Sequence, residues 1–186
     1  MQARGVRRHQ QLREAAADLL LEQGYDALTH RAVAARAGAA LGTATYHFPD
    51  VEELRRQAVD QAVQDWLAGS RAALEALPAR LTSNVAVARA CLAVVSGGQS
   101  DLAGLYERYV QAARAEPLRA IVADYDAVLT RLLADVLRRG QRPARFARLV
   151  LASADGLLVS AIARGADDPA KQAVPELTRL VGLLPR

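Results

Sequence analysis

Apolar residues recur at helical spacing along nearly the whole chain, and no stretch alternates long enough to form a strand. The cleanest stripe runs Leu118, Ile121, Val122, Tyr125, Val128, Leu129, Leu132, Leu133 and Val136, with Gly140 closing it. Further stripes join Leu12, Ala15, Ala16, Leu19 and Leu20, then Leu54, Ala58, Ala62 and Trp66. This pattern predicts an all-α protein. Gly24, Gly38, Pro49, Pro78, "SGGQS", Pro117, Gly140 and "GADDP" punctuate it into eight or nine helices. Three short helices precede Pro49 and longer ones follow. Ala and Leu dominate and aromatics make up only 4%, which favours helices over a β-sandwich.

The boundaries carry their own signals. The first helix is expected over residues 7–23, ended by Gly24. Thr29 caps a second that stops at Gly38, and a third spans Ala40 to Phe48. Pro49 breaks the chain; Asp50, with Glu53 three residues on, restarts it in the manner of a capping box. The fourth helix runs from Val51 toward Leu77. Ser83 or Asn84 caps a fifth through Val95, and Ser100 or Asp101 opens a sixth. Pro117 and Pro175 suit the first turns of later helices.

With 186 residues, 52% of them hydrophobic, the chain has room for one domain or two small ones and can bury a core. A net charge of +4 permits an anionic partner. Cys91 is the only cysteine, which rules out an intrachain disulfide and a multi-cysteine zinc site. The start is not that of a signal peptide: Arg4, Arg7, Arg8 and Arg13 lead into a helix interrupted by Glu14, Asp18 and Glu22. The apolar run from Ala90 stops at Asp101, short of the roughly 18 residues a membrane span needs. A cytoplasmic protein with no membrane partner is therefore expected. His9, His30 and His47 form no paired-ligand spacing, and the chain has no GxSxG, GxGxxG or GxxxxGK. Neither an enzyme, a metal site nor a cofactor is expected.

The run "RAGAALGTATYHFPDVEEL", Arg36 to Leu54, departs from the Ala/Leu texture around it. Two short helices joined at Ala37-Gly38-Ala39, the second rich in small residues, make a helix-turn-helix. A helix that enters the major groove must be narrow at its leading end, and Ala40, Gly42, Thr43, Ala44 and Thr45 make it so. Hydroxyls and the Tyr46-His47 pair can reach phosphates, while Phe48 can lock the helix to its own core.

From about Arg8 to Val59 the chain resembles the DNA-binding domain of the TetR/AcrR family of bacterial transcriptional regulators. "REAAADLLLEQGYDALTHRAVAARAG" and "LGTATYHFPDVEEL" carry the resemblance. It implies a helix-turn-helix domain over residues 1–50 and a helical effector-binding and dimerisation domain over 51–186. By the same resemblance, Arg31 is the base-reading candidate, and Ala40, Leu41 and Thr45 face the groove. Thr43, Tyr46 and His47 stand where family members contact phosphate, and Arg7 and Arg8, with Arg4, form a basic start expected to touch the DNA backbone. Three positions depart from the family pattern: Leu41, Thr45 and Val51 stand where a polar or basic residue, a Tyr and a Lys are common. Each removes a possible DNA contact and shifts weight onto Arg31.

The family also places an effector cavity among the middle helices. Trp66, Cys91, Tyr106, Tyr109 and Tyr125 are its candidate wall, although such stripes usually serve as plain core and Cys91 reads first as a small core residue. Residues 143–164 are apolar almost all round, so one face needs a second partner. With the last helix they predict a homodimer seam through Leu151, Leu158, Ile162, Leu177, Leu180, Val181 and Leu184. Asp155 sits inside this apolar run and requires a partner: an arginine, a group across the dimer, or water. The function implied is a ligand-responsive regulator, a repressor released from a palindromic double-stranded DNA operator by a small-molecule effector. The alternatives are an activator, a helical sensor with a degenerate DNA-binding region, or a small helical enzyme.

Overall fold

The computed structural model describes the backbone of residues 2–98, 102–112 and 116–186. Nine α-helices occur among the described residues, and no strand. They are α1 Gln2–Gln23, α2 His30–Arg36, α3 Leu41–His47, α4 Val51–Glu75, α5 Asn84–Ser96, α6 Leu102–Ala112, α7 Glu116–Arg139, α8 Ala147–Ala163 and α9 Pro169–Leu183. The trace separates into two compact units, one of Met1–Asp65 with Glu107–Val122 and one of Trp66–Tyr106 with Ala123–Arg186.

In the first unit α1 starts earlier than expected, because arginine, glutamine and alanine propagate a helix well and only Gly5 interrupts them. Arg4, Arg7 and Arg8 of the basic start therefore stand on α1 itself. The second helix ends at Gly38, whose φ of 58° is the left-handed conformation that glycine adopts without penalty. There the Gly38 amide donates to the Ala35 carbonyl at 3.2 Å and the Ala39 amide to the Ala34 carbonyl at 2.8 Å, the paired bonds of a Schellman cap. Thr29 caps α2 through its hydroxyl, which accepts from the Ala32 amide at 3.1 Å. Asp50 accepts from the Glu53 amide at 2.8 Å. Glu53 does not return the bond; Arg56 and Gln57 hold its carboxylate instead and pull its pKa down to about 2. Leu12, Leu28, Val33, Phe48 and Leu54 are fully buried at the centre of this unit, and Arg13 on α1 pairs with Asp60 on α4 at 2.6 Å.

In the second unit α9 packs along α5 and α8. Of the two expected caps it is Ser83 that opens α5, accepting from the Ala86 amide at 3.1 Å. Ser100 and Asp101, the expected openers of the sixth helix, lie outside the described residues. Asp168 caps α9 through the Lys171 amide at 2.9 Å, with Pro169 at its first position. Pro175, expected in the first turn, lies inside the helix, because Asp168-Pro169 supplies an earlier start. Counted with the turn before it, Ala144–Ala163 is long and apolar enough to cross a membrane by length and composition, a property the Ala90 run lacks.

Candidate nucleic-acid interface and effector cluster

On α2 two arginines have different fates. Arg36 is tied to α1: its guanidinium donates to both carboxylate oxygens of Glu22, one of them at 2.8 Å, and lies 4.0 Å from Asp18. Arg31 is exposed and makes no ion pair or side-chain hydrogen bond among the described residues. It is the α2 arginine with a donor fork left over for another molecule.

Next to it, α3 presents an outward face of few polar groups. Leu41 is 51% exposed and Tyr46 83%. Ala40 is exposed and Thr43 half-buried. The Thr45 hydroxyl donates within its own helix, 3.2 Å from the Gly42 carbonyl, which leaves its lone pairs but not its proton for an outside group. Arg7 is exposed and Arg8 half-buried on α1.

His47 is held by contacts that sequence spacing does not show. Its ring stacks on His9 of α1 with centroids 5.3 Å apart and planes 7° from parallel. His9 also packs against Phe48 at 5.5 Å, and the Tyr46 ring meets His47 edge-on. Partial burial, with His9 and Arg8 nearby, holds the His47 imidazolium below its ordinary pKa. A phosphate brought against the ring would offset that repulsion. His30 fixes the other side: its Nε2–H donates to the Phe48 carbonyl at 2.9 Å, joining the start of α2 to the end of α3. His9 and His30 were legible only as isolated histidines, and no periodicity pairs them with α3.

The expected effector residues divide between the units. Trp66, Cys91, Tyr106 and Tyr125 belong to the second and Tyr109 to the first. Trp66 is buried; its indole N–H donates to the Val95 carbonyl at 3.0 Å, and its ring packs on Tyr125 at 4.3 Å. Cys91 is fully buried and burial pushes its thiol up to about 12, so it packs as a small apolar residue. Tyr106 is buried, and its hydroxyl donates to Asp155 at 2.7 Å. Burial pushes the Asp155 carboxyl up to about 6; the Tyr106 bond works against that shift and the nearby Asp126 adds to it.

The seam residues need a correction of face. Leu151, Leu158, Leu177, Val181 and Leu184 are buried within the subunit's own second unit, where α8 meets α9, so they are not displayed to a partner. Ile162 and Leu180 are half-buried. The outward apolar residues are Leu149 and Val159 on α8 and Leu183 on α9, 48%, 45% and 83% exposed. Ala152, Gly156 and Ala163 complete the exposed side of α8.

The family model of bacterial regulatory proteins of the tetR family matches residues 12–58, and that of the tetracyclin repressor-like C-terminal domain matches residues 82–183. No curated protein matches the chain. Among solved structures, the multidrug binding protein EbrR complexed with proflavin is 29% identical, over 93% of this chain and 99% of that one, with a TM-score of 0.65. The same protein complexed with ethidium superposes with a TM-score of 0.69 at 29% identity, over 96% and 99% of the two chains. A TetR-family member from Streptomyces coelicolor A3 is 27% identical, over 96% and 99%, with a TM-score of 0.69. The helix-turn-helix around Arg31, the helical unit that follows it and these matches lead to one conclusion: the chain belongs to the TetR family and is a ligand-responsive DNA-binding transcriptional regulator.

Proposed function

We propose that this protein is a cytoplasmic homodimeric repressor that holds a palindromic operator and lets it go when a small-molecule effector binds. Residues 1–50 serve DNA and residues 51–186 serve effector and dimer. The observation that carries the DNA half is Arg31: exposed and without an ion pair among the described residues, while Arg36 on the same helix is consumed by Glu22. Arginine to guanine is the commonest specific base contact. Leu41 is placed for a thymine methyl, Ala40 and Thr45 for close approach, and Thr43, Tyr46, His47, Arg7 and Arg8 for phosphates. The effector half rests on the second unit and on relatives solved with proflavin and ethidium. The dimer seam is assigned to the outward side of α8 and α9, through Leu149, Val159 and Leu183, because a helix apolar on its outer face calls for a second cover. An effector shifts operator release only by its different affinity for the two dimer geometries. The proposal includes no catalytic step; TetR-family regulators are in general non-enzymatic.

Selection of bound duplexes from a random pool tests this reading. The wild-type protein is expected to enrich an inverted repeat whose half-sites lie about 34–36 Å apart or a multiple of that. Val159→Asp is expected to sediment as a monomer and to lose the repeat. A pool with no enriched repeat would instead favour a sensor with a degenerate DNA-binding region.

A further inference from the structure

A small polar pocket of about 160 Å³ opens in the second unit, where the loop before α5 meets the chain just beyond α7 and α9. Arg80, Ser83, Asn84, Gln141, Arg142 and Arg186 line it, and no acidic side chain does so among the described residues. None of the expected effector residues is on its wall. Three guanidiniums around so small a space repel one another unless an anion lies between them.

Arg142 separates this cluster from an ordinary solvated charge patch. It is 8% exposed, and a guanidinium is rarely buried so far without a carboxylate. Its Nε–H donates to the Val181 carbonyl at 3.3 Å and its Nη2 to the Asn84 Oδ1 at 2.6 Å. Both acceptors are neutral. No carboxylate pairs with Arg142 among the described residues, and its Nη1 makes no hydrogen bond there. Nη1 is not sealed in the interior either, so its donors open toward the pocket.

Arg80 is exposed, and its Nη2 also donates to a neutral group, the Gln141 Oε1, at 3.3 Å. Gln141 ends α7 as the left-handed residue of a Schellman cap, with φ 55°. Its amide donates to the Arg138 carbonyl at 3.0 Å, and the Arg142 amide to the Leu137 carbonyl at 2.8 Å. Glycine holds that conformation freely and glutamine does not. The strained position is thus filled by a side chain that tethers Arg80. The start of α5 lies on the same wall, and its first amides have no intrahelical acceptor.

We propose that this pocket is a second ligand site, which takes a phosphate group on Arg142, Arg80 and Arg186, with Gln141 as the positioning residue for Arg80. Guanidinium forks match phosphate oxygens two at a time. Three positive charges with no acid fit a dianion better than a single carboxylate. The space is smaller than pockets for drug-sized ligands, so its occupant is inorganic phosphate or a short phosphomonoester. Bound phosphate ties the loop before α5 to the ends of α7 and α9 and stabilises the folded unit by mass action.

Calorimetric titration of the full chain at fixed ionic strength tests this without DNA. Inorganic phosphate is expected to bind at least about tenfold more tightly than acetate. Arg80→Gln together with Arg186→Gln, both at exposed positions, should weaken phosphate about tenfold. Arg131→Gln removes a charge from an exposed position on α7, more than two turns before Gly140, and should change the affinity less than about twofold. Gln141→Gly removes the strain and the tether together. Its thermal midpoint without phosphate should hold or rise while phosphate affinity falls about threefold, a pairing that a purely structural glutamine would not give. Phosphate bound no more tightly than acetate overturns the proposal. So does an affinity untouched by the double arginine variant and by Gln141→Gly, or one that falls as far in Arg131→Gln, which would make the effect one of net charge. Glycerol 3-phosphate separates the sources: tighter binding than inorganic phosphate makes the occupant a phosphomonoester, weaker binding makes it the free ion, and either upholds the site.

Discussion

Phe48→Ala is expected to destabilise the first unit by about 3–5 kcal/mol and to remove specific DNA binding with it. Phe48 has no exposed surface, and it joins three elements. Its ring packs on His9 of α1 and within the cluster of Leu12, Leu28, Val33 and Leu54. Its carbonyl accepts from His30 at the start of α2. Its amide donates to Ala44 at 2.9 Å, closing the last turn of α3. Alanine keeps both backbone bonds and leaves a hole under the end of the recognition helix. His47 stacks on His9, which itself packs on the Phe48 ring, so it loses part of its support. Denaturant unfolding followed by circular dichroism measures the stability loss, and a gel shift measures the DNA loss. A change below about 1 kcal/mol would mean that the ring is not the keystone described here.

Gly97→Ala is the second large effect, about 2–4 kcal/mol, from a left-handed backbone and from overpacking together. Gly97 caps α5 with φ 56° and ψ 24°. A methyl there would run into the Trp66 indole, and one on Gly69 would run into the Gly97 carbonyl. The two glycines let α4 and the end of α5 touch backbone to backbone. The indole N–H bond to Val95 depends on that approach. Trp66 is the sole tryptophan, so its emission reports this place alone. A lowered thermal midpoint with red-shifted emission is the expected result; an unshifted spectrum would contradict the packing account. Because α4 is one continuous helix from Val51 to Glu75, a loosened Trp66 is also a change on the helix that begins beside the recognition helix.

Much of the first unit was legible because its signals are local. Gly24 and Gly38 take the positive φ their positions ask for. Thr29 and Asp50 cap as their neighbours require. Glu53 was misread as half of a capping box, since nothing in the spacing tells that Arg56 and Gln57 compete for its carboxylate. The histidine stack was invisible: His9 and His47 lie far apart in sequence, and ring stacking leaves no periodic trace. The Tyr106–Asp155 bond was half legible, because a lone acid in an apolar helix announces a need without naming the partner.

The seam shows the same limit from another side. An apolar stripe on one face of a helix tells which face is inside, but α8 is apolar nearly all round. Leu151 and Leu158 were therefore as eligible for a partner as Leu149 and Val159. Only packing against α9 separates the two sets. Arg31 and Arg36 likewise look equivalent as letters, and it is Glu22 on α1 that takes one of them out of reach.

The account turns on Arg31 as the side chain that reads a base. Anisotropy titrations of wild type and Arg31→Ala against the selected duplex and its single-base variants measure this directly. The substitution should cost about 1–3 kcal/mol and flatten base preference at one position of each half-site. Binding that weakens equally at every position, or a preference profile left intact, would contradict it.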